Sequence, residues 1–238
     1  MFLFFYKAGA YAEQGVNYYD NYSFIDVLDK SSDKTALTYV DKTDYGTQYN
    51  SSKGLLTGTR TYLLDGSGDY LTTAYYYDYR GQVVQTCSTN HLGGYDILYN
   101  AYDFAGNVTQ SLKEHSTSTT LGSPLTELYT YVYDHVGRLT ETTYKLNSNT
   151  EITLAENTYD ELGRLIGKDR HNRIDTELFD YNIRNWTTKI KSGSFEQNLY
   201  YNTNPAGSTP CFNGNISMCL YRRILMQLLW CITASIVV

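Results

Sequence analysis

Three prolines and two tryptophans among 238 residues are the first scarcities of this chain, and phenylalanine, at eight, is outnumbered by 26 tyrosines. So few prolines leave backbone N–H groups free for ladders, and so much tyrosine suits strands that are apolar at the ring and wet at the hydroxyl. Basic charge is also short: a net charge of −6 and a pI near 5.2 exclude the basic, patchy footprint of a nucleic-acid binder. The four cysteines (Cys87, Cys211, Cys219, Cys231) form no C-x-x-C pair, and the four histidines (His91, His115, His135, His171) are scattered. Neither a disulfide framework nor a metal site follows from such spacing, and no cofactor is expected.

Catalytic signatures are missing as well. There is no G-x-S-x-G, no phosphate-cradling glycine loop and no Asp-Pro. Asp65–Asp69 (D-G-S-G-D) lacks the alternating ligands and distal Glu of a calcium loop and reads as a hairpin tip between Leu63-Leu64 and Tyr70-Leu71. Five N-x-S/T triplets, Asn50-Ser51-Ser52 and Asn107-Val108-Thr109 among them, are near chance in so Asn/Thr-rich a chain.

What the chain has is one sentence written several times. Tyr133-Asp134-His135-Val136-Gly137-Arg138-Leu139 follows Tyr129 and Tyr131 at strand period and precedes a Thr-rich run to Tyr144. Asp suits the start of a type I turn because its carboxylate accepts N–H groups two residues on. Gly suits the φ > 0 position at which the chain rejoins the second strand as a bulge. The pattern recurs at Tyr77-Asp78-x-x-Gly81, Tyr102-Asp103-x-x-Gly106 and Tyr159-Asp160-x-x-Gly163, spaced 25, 31 and 26 residues apart in chain order. A weaker copy, Tyr181-Asn182-Ile183-Arg184-Asn185-Trp186, puts Asn in both the Asp and Gly places. Four such copies with the same polar-then-aliphatic continuation predict an array of β-hairpins. Because the four Asp residues occupy one identical place, they read as turn formers rather than acid/base catalysts, which need unlike roles converging.

These residues resemble the Rhs/YD-repeat family, with the consensus Tyr-Asp-x-x-Gly-Arg/Asn-Leu. The likeness covers about Tyr75 to Leu165, with a degenerate form to about Ser217. It implies an all-β fold of antiparallel hairpins forming part of a spiralling sheet or shell, as in bacterial polymorphic toxins and teneurins. It also implies secreted or cell-surface localisation and a cargo polypeptide or further repeats as partners. On that resemblance the chain is expected to be a non-enzymatic, structural portion of a bacterial shell protein that encloses or presents a C-terminal toxin or effector absent here. A carbohydrate- or partner-binding surface module, with ranked tyrosines stacking on glycans, is the alternative.

Along the chain, three regions are expected: a strand-rich, truncated repeat region over 1–74, the array over 75–217 and an apolar tail over 218–238. Met1–Tyr6 reads as a strand of a preceding repeat rather than a signal peptide, its apolar core being too short and its charge, Lys7, coming after it. Asn17–Asp29 is strand-like, Lys30–Lys34 loop-like, and Thr35–Tyr39 and Gly58–Leu64 read as strands. His115–Pro124 reads as a mobile excursion, Thr150–Thr158 as a strand and Lys168–Arg173 as a solvated turn. Asn185–Ile190 and Leu199–Asn202 continue the sheet, and Arg138 at a strand start reads as a surface contact. From Cys219 the composition changes, with no Tyr-Asp and no Gly. Ile224–Val238 is short of the roughly 20 apolar residues of a membrane span. A frameshifted remnant and a packing or membrane-contacting segment remain alternative readings of this tail.

Overall fold

The computed structural model describes residues 14–28, 30–65, 67–117, 124–193, 195–203, 207–223 and 236–237. Expectations for Met1–Tyr6, for the middle of His115–Pro124, for most of Ile224–Val238 and for Cys231 lie outside these residues. The fold is nearly all-β. Its strands are β1 (Gly15–Asp20), β2 (Ser52–Tyr62), β3 (Tyr70–Tyr77), β4 (Val83–Thr89), β5 (Tyr95–Tyr102), β6 (Val108–Ser116), β7 (Leu125–Tyr133) and β8 (Leu139–Leu146). They continue with β9 (Ile152–Tyr159), β10 (Leu165–Arg170), β11 (Asp175–Tyr181), β12 (Thr187–Lys191), β13 (Phe195–Tyr200), β14 (Met218–Arg223) and β15 (Ile236–Val237). Strand order in the sheet is chain order, so every strand has its sequence neighbours beside it.

The chain divides into two compact units: Met1–Tyr131 with Tyr144–Glu151, and Val132–Thr143 with Ile152–Val238. In the first unit one face of β3–β5 is buried. Thr72, Ala74 and Tyr76 alternate inward on β3, and Tyr95, Ile97 and Tyr99 on β5, as the period of two requires. Two short helices, α1 (Ser23–Asp26) and α2 (Ser31–Leu37), close over this face. Phe24, Ile25, Leu28 and Leu37 join Ala74, Tyr76, Val84 and Cys87 in one cluster, with Leu37 fully buried. Tyr22 stacks on Tyr76 at 4.6 Å, and the Tyr76 hydroxyl donates to the Leu37 carbonyl at 2.6 Å. Gly58 is required here: a Cβ at that position would sit 2.3 Å from the Phe24 ring.

The strand expected over Asn17–Asp29 is present only as far as Asp20, and the helices correct the rest of it, the loop over Lys30–Lys34 and the strand over Thr35–Tyr39. Strand β1 ends at Asp20, which takes φ +73° while its carboxylate accepts the Gly54 N–H at 2.6 Å. Asn21 then accepts the Ser23 N–H at 3.0 Å and starts α1. The aromatic and aliphatic side chains beyond it serve as a lid on the sheet instead of a pleat within it.

The second unit has no such lid among its described residues, of which only Gly167, Ser192, Tyr201 and Met218 are buried. Its strands and the β10–β11 turn carry polar pairs: Arg170 meets Glu177 and Arg173 meets Glu156, both at 2.6 Å, and Lys189 meets Glu196 at 3.1 Å. Strand β14 pairs with β13 from Phe195↔Arg223 to Tyr200↔Met218, so the compositional change at Cys219 begins inside a regular strand.

Candidate functional site: the row of turns

The repeated motifs fall at the β3–β4, β5–β6, β7–β8, β9–β10 and β11–β12 turns. Each is built alike. In the third, the Asp134 N–H donates to the Arg138 carbonyl at 2.9 Å and the Gly137 N–H to the Asp134 carbonyl at 3.0 Å. Asp134 Oδ1 accepts the N–H groups of Val136 and Arg138 at 3.0 and 2.9 Å. Gly137 stands at φ +82°, where a Cβ is disfavoured. Asp160–Gly163 repeats this with φ +82°, Asp78–Gly81 with φ +78° and Asp103–Gly106 with φ +93°. In the weak copy Asn182 Oδ1 accepts from Arg184 and Trp186, and Asn185 takes φ +62° in place of glycine.

Where register can be followed, the second strand carries one extra residue after each turn: Val84, Thr109, Ile166 and Thr188. Such a bulge disrupts the ladder locally. Tyrosine hydroxyls from three motif copies and from Tyr201 bond the carbonyls at this place. Tyr102 donates its hydroxyl to the Val83 carbonyl, Tyr159 to Leu139 and Tyr181 to Leu165, each at 2.8 Å, and Tyr201 to Thr187 at 2.7 Å. The carbonyl in every case belongs to the first strand residue after the previous motif turn. Asn100 and Asn157 add second donors to two of them, at 3.2 and 3.0 Å. Tyr77 makes the corresponding reach to the Leu56 carbonyl at 2.6 Å. Burial pushes the phenols of Tyr77, Tyr102 and Tyr201 upward, which keeps them protonated donors at neutral pH. Sequence reasoning found these residues but assigned their rings to packing and their hydroxyls to water. The excess of Tyr over Phe was the available signal.

The residue after the turn glycine differs between copies. Arg138 Nε binds Asp134 Oδ2 at 2.7 Å, Nη1 reaches the Asp160 carbonyl of the next turn at 3.5 Å, and the guanidinium lies 4.7 Å from the Tyr159 ring centre. Arg164 does the same with Asp160 at 2.6 Å, Asn182 at 3.3 Å and the Tyr181 ring at 5.1 Å. These arginines tie turn to turn, which corrects the reading of Arg138 as a surface contact. In the first unit Gln82 and Asn107 hold this place, and Asn107 Nδ2 donates to Asp103 Oδ2 at 2.9 Å.

The carboxylates of Asp103, Asp134 and Asp160 are thereby committed. Asn107 holds the Asp103 carboxyl below the usual range through its side-chain amide and its N–H. At Asp134 and Asp160 partial desolvation works upward, and the N–H and guanidinium of Arg138 and Arg164 outweigh it, so both carboxyls also fall below the usual range. A carboxylate stabilised in its ionised form by fixed donors is a poor proton carrier at neutral pH. Among the described residues no group of three His, Cys, Asp or Glu side chains converges to hold a metal.

A sixth turn of this kind was missed. At the opposite edge Asn90 Oδ1 accepts the N–H groups of Leu92 and Gly94 at 3.1 and 2.9 Å, with Gly93 at φ +77°. Its signal, Asn-x-x-Gly without a preceding Tyr, was present in the sequence. The tips of the motif turns expose large apolar side chains: Tyr79, Phe104, Val136, Leu162 and Ile183, the last fully exposed.

Comparison with protein-family models gives no match, and comparison with curated proteins gives none. Among solved structures, the crystal structure of TcdB2-TccC3 is 13% identical with a TM-score of 0.32, the match covering 90% of this chain and 12% of that one. The Tc holotoxin pore of Photorhabdus luminescens, with the mutation TccC3-D651A, is 15% identical with a TM-score of 0.31, covering 71% of this chain and 10% of that one. The chain thus spans about a tenth of the length of these structures, and similarity at this level carries no functional argument.

Proposed function

We propose that the chain is a non-enzymatic wall element of a bacterial Rhs/YD-repeat protein, in which rows of hairpins enclose or present a C-terminal toxin or effector polypeptide. The observation that carries this reading is the turn-to-turn tie: each motif repeats one structural role and uses its tyrosine or arginine to bind the neighbouring repeat. Repeats that distribute a single role build surface, whereas catalysis requires unlike groups at one point. Export to the cell surface or medium is part of this proposal.

The test begins with the DNA flanking the gene, read in all three frames. Further Tyr-Asp-x-x-Gly copies are expected next to those found here. The continuous array, expressed with the polypeptide encoded after it, should protect that polypeptide from added protease. Digestion at the rate of the free polypeptide would end the enclosure reading.

A second reading, a glycan- or partner-binding surface, draws on the exposed apolar side chains at the turn tips. A glycan array probed with the full chain addresses its carbohydrate form, and uniform absence of binding would remove that form.

A further inference from the structure

The first motif turn is an unfilled version of the third and fourth. Arg138 and Arg164 each occupy a niche with three walls: the Oδ2 of their own turn aspartate, a carbonyl of the next turn and the ring of the next motif tyrosine. In the first unit the same walls are Asp78, Asp103 and Tyr102, and the residue at the arginine position is Gln82. The side chains run the same way: Gln82 Nε2 lies 3.0 Å from a Cβ built on Gly106, as Arg138 Nη1 lies 3.5 Å from one built on Gly163. Gln82 carries no charge and ends there. Asp78 spends Oδ1 on the N–H groups of Arg80 and Gln82, its Oδ2 accepts no bond from a described residue, and no cation among the described residues lies over the Tyr102 ring.

A cleft of about 340 Å³ opens at this point, and its lining includes Asp78, Gln82, Tyr102 and Asp103. Asp44 adds a third carboxylate to the lining. Arg80 is its one cation among the described residues, and that guanidinium is already engaged by the Tyr79 hydroxyl at 2.8 Å and the Phe104 carbonyl at 2.7 Å. The surplus charge in the cleft is therefore negative.

We infer that this cleft binds a guanidinium group, the side chain of an arginine supplied from outside the unit. One edge N–H would meet Asp78 Oδ2, another the Asp103 carbonyl, and the planar face would rest on Tyr102, reproducing what Arg138 and Arg164 do within the chain. A planar fork fits these three partners and a compact ammonium does not, so arginine is selected over lysine.

The experiment is an NMR titration of the full chain with N-acetyl-arginine amide and, separately, N-acetyl-lysine amide. Saturable shifts centred on Gln82, Tyr102 and Asp103 are expected with the arginine probe, at an affinity about tenfold or more above that of the lysine probe. Gln82→Arg should fill the niche from within, abolish the binding and raise the thermal midpoint. Asp78→Asn keeps the turn, since Asn182 performs that task in this chain, and should weaken arginine binding about tenfold. No saturable binding, equal affinity for both probes, or unchanged binding in a cooperatively folded Gln82→Arg chain would each overturn the inference. If Gln82→Arg does not fold, unchanged affinity in Asp78→Asn overturns it.

Discussion

In the first unit, strands β3–β5 turn a face of alternating Thr, Ala and Tyr toward two short helices, and Leu37, Val84, Ala74 and Cys87 are sealed between them. In the second, β9–β13 have no such cover among the described residues, and the connections that stand out are polar: arginine to aspartate within a turn, arginine to carbonyl between turns, tyrosine hydroxyl to bulged carbonyl. The same five-residue turn serves both. Where a lid supplies hydrophobic burial, Gln82 and Asn107 suffice after the glycine. In the second unit Arg138 and Arg164 stand in that position and reach the next repeat, and the weak copy carries Trp186 there. Turn geometry is a constant of the array, and the means of holding neighbouring hairpins together is a variable.

The largest expected effect tests the lid. Leu37→Ala removes a fully buried side chain and should cost about 2–5 kcal/mol in chemical denaturation. Leu178→Ala, at a side chain 50% exposed in the second unit, should stay within about 0.5 kcal/mol. Comparable costs at the two positions would erase the contrast between a covered and an uncovered sheet.

Next comes the shared turn. Gly81→Val and Gly137→Val each place a β-branched residue at positive φ and should cost about 1–3 kcal/mol in either unit. Gly137→Asn should be milder, because Asn185 already occupies the equivalent place at φ +62°. Melting curves that separate the two valine variants widely would mean that the turns are not equivalent.

Tyr159→Phe keeps the ring and deletes the bond to the Leu139 carbonyl, and a loss of about 0.5–1.5 kcal/mol is expected. Faster amide exchange should appear around Leu139 and Asn157, which donates to the same carbonyl. Unchanged stability and exchange would reduce the tyrosine staple to ring packing.

The smallest effect is electrostatic. Asp103, Asp134 and Asp160 have native carboxyls below the usual range, and hence below the unfolded value of about 3.9. Their contribution to stability is complete above that pH and is lost as the pH falls through the native values. An acid titration monitored by tyrosine fluorescence should show this decline, and Asp134→Asn should shrink it. Added salt should weaken the guanidinium pairs of the second unit more than the amide pair of Asp103. Identical salt responses would count against that distinction.

Much of the site is legible in the amino-acid sequence, because a turn is a local object. Asp134 and Gly137 satisfy each other's neighbours within five residues, so their identity alone specifies carboxylate acceptance and positive φ. The period-two spacing of Tyr129, Tyr131 and Tyr133 places β7 for the same reason, and the repeat frame places β9. Asn90–Gly94 is harder to see because it lacks the leading tyrosine of the motif, although its local chemistry is the same. The partner of each motif tyrosine is out of reach of the sequence: Leu165 lies 16 residues before Tyr181, beside the bulge at Ile166, and only the assembled ladder brings its carbonyl there.

The sequence by itself determined the hairpin period, the turn chemistry and the all-β class, since each depends on side chains acting on their own backbone. Tertiary structure alone decided that residues 23–37 carry two helices over the sheet and that Arg138 and Arg164 lace one repeat to the next. The helical segment is short, with one aromatic residue, Phe24, and no decisive periodicity of its own. It becomes helical against a surface built by strands some tens of residues further on, through Phe24 on Gly58 and Tyr76 on Leu37. A choice of that kind is made by burial, and burial is a property of the assembled fold.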